Sequence, residues 1–141
     1  MKQLLFNFNL KDQGLLFYRI VLGLSMMVHG YLKFAGGEQM LYGVGSMLGQ
    51  FGITGGYLFL GTMAAFAELV GGLLIILGLF TRLGTLLVAG TLLVATLVDL
   101  GHGFFKWDYP SQMMFGAIML FIVGPGRFSF DNRWMKKKAK K

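Results

Sequence analysis

The chain of 141 residues contains no cysteine. That absence removes disulfide staples, CxxC thiol relays, cysteine-ligated zinc, iron–sulfur clusters and covalently attached c-type haem together. Charge is also scarce: 13% of residues are charged against 55% hydrophobic, and mean hydropathy is +0.65. A soluble domain needs more polar cover than this. Acidic residues are fewest, six Asp and Glu against 13 Lys and Arg, for a formal charge of +7. In a soluble protein such an excess would suggest nucleic acid as a partner. Its placement argues otherwise: Lys136, Lys137, Lys138, Lys140 and Lys141 crowd the end of the chain beside Arg127 and Arg133, and most other basic residues sit at segment ends. This is a topology signal, and no nucleic-acid partner is expected. Nor does the sequence hold an internal repeat, or any low-complexity segment beyond the lysine tail.

What is present is long apolar sequence. Four stretches, residues 14–35, 57–80, 83–101 and 110–124, are separated by short Gly-rich or charged breaks. The first three are long enough to span about 30 Å of hydrocarbon. The fourth, about 15 residues at 1.5 Å each, reaches only about 22 Å and must thin the bilayer or borrow flanking turns. The pattern predicts an all-α integral membrane protein, an antiparallel four-helix bundle in a single domain of residues 1–141. Lys2, Lys11, Arg19, Arg82, Arg127, Arg133 and the five tail lysines fall on one side of such a bundle, with Lys33 and Lys106 on the other. Positive charge stays inside, which places both termini, including a basic tail at 127–141, in the cytoplasm of a bacterial inner membrane. A secretory signal is rejected for the first stretch, because residues 15–34 exceed the length of a signal core and carry Arg19, His29 and Lys33. Between spans one and two, Met40, Leu41, Val44, Met47, Leu48 and Phe51 recur at helical spacing without charge, predicting a short helix at the outer interface. Trp107, Tyr109 and Trp134 stand where aromatic belts hold a bundle at its water boundaries.

An ionisable group inside a spanning helix costs about 2.5 to 3.5 kcal/mol on insertion scales and needs a partner. Five qualify: Arg19, His29, Glu68, Asp99 and His102. At about 100° per residue Arg19, Gly23, Met26, Gly30 and Lys33 share one face of the first helix. Gly61, Ala64, Ala65, Gly71, Gly72 and Ile75 gather with Glu68 on the second, and small residues of this kind let another backbone approach. Gly23, Gly30, Gly71 and Gly72 are therefore expected at helix contacts. Estimated depth puts Arg19 about 7 Å and Glu68 about 17 Å above the inner end, a gap that an upward-reaching guanidinium nearly closes. One buried site follows as an expectation, Arg19 and Glu68 below, His29, Asp99 and His102 above. Lys33 is expected to snorkel outward near Glu38. The ten methionines read as packing, and no metal site is expected.

Several runs together resemble the DoxX family of four-helix bacterial membrane proteins. They are Arg19 with Gly23, His29-Gly30-Tyr31-Leu32-Lys33-Phe34, Ala67-Glu68-Leu69-Val70-Gly71-Gly72, Leu77-Gly78-Leu79, Thr81-Arg82, and Gly124-Pro125-Gly126-Arg127-Phe128-Ser129-Phe130-Asp131. The resemblance implies a multipass inner-membrane protein related to the small membrane subunit of thiosulfate:quinone oxidoreductase, a component of quinone-linked redox systems. It carries Arg19, His29, Gly30, Lys33, Glu68, Gly71 and Gly72 over as motif residues and implies a helix-end cap at Asp131, without assigning catalysis to any of them.

Three classes of function are open at this level. A quinone-linked oxidoreductase component would bind a quinone headgroup, noncovalently, with donors from Arg19, His29 or His102 and protons carried by Glu68 or Asp99. Its electron donor would be a soluble redox partner protein, a substrate or the quinol itself. A membrane protein that binds or transports a small molecule or lipid would use the same pocket without redox chemistry. A non-catalytic assembly partner of a soluble enzyme would use the interfacial helix and the tail, which also contacts membrane lipids. The small-residue faces would serve a homo-oligomer equally well.

Overall fold

A computed structural model describes residues 10–138; Lys2, Lys140 and Lys141 lie outside the described residues. The described residues form helices joined by short turns and contain no strand. In chain order they are α1 (Lys11–Ala35), α2 (Gly37–Ser46), a 3₁₀ turn (Met47–Phe51), α3 (Tyr57–Leu77), α4 (Thr81–Asp99), a second 3₁₀ turn (Leu100–His102), α5 (Phe104–Val123) and α6 (Phe130–Lys138). Three of these, α1, α3 and α4 with its 3₁₀ extension, are long and apolar enough to cross a membrane. The chain is a membrane protein built on them. Phe17, Leu86, Phe115 and Ile122 lie on its outer surface, whereas Arg19, Thr81, Thr85 and Ser129 are buried. Oil rather than water is the solvent that suits such a surface.

The element bounds differ from expectation at two places. Residues Thr81 and Arg82, read as a turn, form the first turn of α4, and α3 stops at Leu77. Gly78 ends it in the left-handed region (φ 64°), its N–H donating to the Ile75 carbonyl while that of Leu79 donates to Leu74. These two bonds make a Schellman cap. The fourth long helix begins at Phe104, six residues ahead of the apolar stretch. At 20 residues it is about 30 Å long, so the short apolar stretch gains its length from flanking turns, one of the two ways expected. Its first turns carry Lys106 and Asp108, which is why apolarity alone understated it.

Glycines set the register. A Cβ on Gly23 would stand 2.6 Å from the Gly72 carbonyl oxygen, and one on Gly30 would stand 2.6 Å from the Leu69 nitrogen. The backbones of antiparallel α1 and α3 therefore meet along this seam, as small-residue packing in membranes allows. Gly71 and Gly84 do the same for α3 against α4, each Cβ position lying within 3.0 Å of the other's carbonyl oxygen. Helix α5 packs on α4, and α2 packs on α3 with Leu41 and Gly45 buried. The core runs through Leu22, Met26, Ile75, Val88, Leu92, Ala117 and Leu120.

Beyond α5 the chain folds back under the bundle. The Asp12 carboxylate accepts the Arg127 N–H at 2.8 Å, so the start of α1 and the exit of α5 lie at the same end. Asp131 caps α4 from a distance of 50 residues: its carboxylate accepts from the Phe80 N–H, the Thr81 N–H and the Thr81 hydroxyl at 2.8, 2.9 and 2.8 Å. A carboxylate at a helix N-terminus satisfies orphan donors and the helix dipole together.

Candidate functional site

The register decides which ionisable groups meet. With Gly23 against Gly72, Arg19 is level with the C-terminal turn of α3, roughly 12 Å from the depth of Glu68. The guanidinium, only 1% exposed, turns to the carbonyls at the end of α3 and in the loop after α5. Its Nε donates to the Ile75 carbonyl at 2.8 Å and Nη2 to that of Ile76 at 2.8 Å, while Nη1 donates to Pro125 at 2.8 Å and Phe128 at 3.1 Å. The last carbonyls of a helix have no partner within it, and a cation there also meets the negative end of the dipole. Arg19 thus completes the cap of α3 and ties it to the loop after α5. The expected pairing of Arg19 with Glu68 is replaced by this four-carbonyl knot.

Glu68 is 4% exposed, on the buried face of α3 with Gly61, Ala65, Gly71, Gly72 and Ile75. Its partner is Lys33, whose Nζ donates to Oε1 at 2.5 Å. This corrects the expectation that Lys33 snorkels outward. Side chains on a helix lean toward its N-terminus, and Lys33 lies about one turn outward of Glu68, so the lysine reaches inward across the Gly30 contact. Its position on the Arg19–Gly23–Gly30 face was the available signal. The other carboxylate oxygen, Oε2, is buried with no hydrogen-bond partner among the described residues.

Lys33 and Glu68 line a cavity of about 560 Å³ between α3 and α4, roofed by α2 and the 3₁₀ turn that follows. The walls are chiefly apolar, among them Leu60, Met63, Leu87, Val94 and Ala95. Thr91 and Asp99 are the other polar side chains in the lining. The Thr91 hydroxyl is occupied, donating to the Val88 carbonyl at 2.9 Å. Asp99 stands at the outer rim, half-exposed. An exposed His102 ring lies beside it, with Nδ1 3.9 Å from the carboxylate and 3.1 Å from the Val98 carbonyl oxygen. His29 belongs elsewhere: it is exposed, its ring 6.2 Å from that of Tyr109 of α5, whose hydroxyl lies 3.3 Å from Ser25. The single pocket expected from depth therefore separates into a helix-end cap at Arg19, a cavity holding Lys33, Glu68 and Asp99, and an exposed histidine on another face.

An apolar cavity of this size with a few convergent polar groups suits an amphiphilic guest. The ammonium offers donors, the buried carboxylate an acceptor. No curated protein and no solved structure matches the chain. The DoxX family model matches residues 14–103, from the first turn of α1 through the second 3₁₀ turn. That match spans well over half of the chain and includes Arg19, Lys33, Glu68 and Asp99, so the chain belongs to the DoxX family.

Proposed function

We propose that the protein crosses a bacterial inner membrane four times, with both termini in the cytoplasm, and that the cavity between α3 and α4 receives the headgroup of a membrane quinone as part of a quinone-linked oxidoreductase. The meeting of Asp12 with Arg127 supports an even number of crossings, and the 20-residue α5 supplies the fourth. The observation that carries the binding reading is the Lys33–Glu68 ion pair, whose buried carboxylate keeps one oxygen unsatisfied, inside a chiefly apolar cavity at mid-span. A charge pair in hydrocarbon is expensive, and a partly satisfied one is more so, which makes it a functional site by default.

The residues fit a quinone. Lys33 has three N–H donors, of which Glu68 takes one, so another can be given to a ring oxygen. Glu68 accepts from a hydroxyl, and the apolar walls hold the ring and the first isoprenoid units. A bound quinone supplies two-electron, two-proton redox chemistry. The chain's part is to orient the ring and to hold protons at Glu68, with Asp99 at the outer rim able to exchange them with water. Electrons come from a soluble redox partner or its substrate. In mild detergent the full chain is expected to bind a decyl-substituted benzoquinone or its quinol with micromolar affinity, measured by calorimetry. Lys33→Met is expected to weaken that binding at least tenfold. Binding of neither redox form would overturn the proposal.

A further inference from the structure

Resting on that quinone reading, we propose that the Lys33–Glu68 pair selects the hydroxyl-bearing, reduced form of its guest over the carbonyl-bearing, oxidised form. The two forms share ring and tail, so the apolar contribution to binding nearly cancels between them. They differ in hydrogen bonding: a quinol has two O–H donors and a quinone has none. The four polar side chains lining the cavity are Lys33, Glu68, Thr91 and Asp99. Thr91 is already bonded to the Val88 carbonyl. The Lys33 ammonium donates to a hydroxyl oxygen or a carbonyl oxygen alike and so does not discriminate.

Asp99 stands half-exposed at the rim, where water satisfies its carboxylate whichever form is bound, so discrimination falls to the buried Glu68. Its Oε1 is held by Lys33 at 2.5 Å, and its Oε2 is buried and unpartnered. The terminal torsion of a glutamate is soft, so a small rotation presents this oxygen to a guest. A quinol hydroxyl donates to it in a charge-assisted bond. A quinone carbonyl places lone pairs against it and leaves a buried acceptor unsatisfied. Sites built around a substrate hydroxyl reject the analogue that lacks one far more strongly than apolar pockets reject a missing methylene. Tighter binding of the reduced form raises the midpoint potential of the bound couple, by about 30 mV for each tenfold of preference.

The test uses the wild-type full chain in detergent and three probes: a decyl-substituted benzoquinone, the matching quinol kept reduced under anaerobic conditions, and the dimethyl ether of that quinol. The quinol is expected to bind at least tenfold more tightly than the quinone, and the ether no more tightly than the quinone. Equal affinities, or a tighter quinone, would overturn this selection while leaving the quinone reading in place. If no probe binds, both fall. Glu68→Gln is expected to abolish the preference mainly by weakening the quinol; should that variant fail to fold, the wild-type comparison decides alone.

Discussion

At the scale of single residues, a buried cation, Arg19, and a half-buried one, Lys33, do different work. Arg19 satisfies four carbonyls contributed by α3 and the loop after α5, and lies apart from the cavity lining. Arg19→Met removes all four bonds and leaves the part-buried Ile76, Pro125 and Phe128 carbonyls without this donor, each at a cost of about 1 kcal/mol or more. Expected is a loss of at least 3 kcal/mol in detergent or urea unfolding, with the folded fraction binding quinol as wild type does. Lys33 behaves otherwise, because its removal leaves Glu68 as an unpaired charge in the cavity. Lys33→Met should destabilise the protein by about 3–5 kcal/mol. The double variant Lys33→Met with Glu68→Gln should recover a kilocalorie or more, and a double-mutant cycle that is merely additive would deny the pair. The sequence marked Arg19 and Glu68 as needing partners, since a charge within an apolar run is visible in one dimension. It misassigned both partners. Carbonyl acceptors at a helix end carry no residue signature, and Lys33, two residues before the end of α1, has the address of a snorkelling lysine.

At the scale of elements, the caps are long-range. Helix α4 begins without a side-chain cap of its own and takes one from Asp131, 50 residues on. The same aspartate anchors α6, its N–H donating to the Gly78 carbonyl at 2.9 Å, while Trp134 of α6 stacks edge-on against Phe80 at 6.3 Å. Asp131→Ala should therefore cost about 1–2 kcal/mol of stability. It should also release α6, seen as faster limited proteolysis between Phe128 and Lys138; unchanged cleavage would show that Trp134 suffices. The motif Thr81-Arg82 could be read as a junction, but not as the first turn of a helix whose cap lies beyond the next membrane-length segment. Elements whose signal is local were legible: the starts of α1 and α3 lie within three residues of the expected apolar stretches. The start of α5 was not, because Lys106, Asp108 and Pro110 interrupt hydropathy without interrupting the helix.

At the scale of the whole molecule, the proposed four-span topology makes a direct prediction. The native chain has no cysteine, so introduced ones report alone. In intact cells a membrane-impermeant maleimide should label Gln50→Cys, in the exposed 3₁₀ turn after α2, and should reach Lys136→Cys only after permeabilisation. Labelling of both from outside would break the even count. By itself the sequence determined that this is a helical membrane protein, where three of its membrane-length helices fall, and which charges are anomalous there, because hydropathy and charge act on each segment separately. Only the tertiary structure decided which anomaly pairs with which. That outcome depends on the register between helices, fixed by Gly23, Gly30 and Gly72 along α1 and α3. Arg19 and Glu68 stand about two turns apart in depth, close to the gap read from the sequence. What sequence cannot show is that the α3 carbonyls lie within reach of Arg19 and the Lys33 ammonium within reach of Glu68.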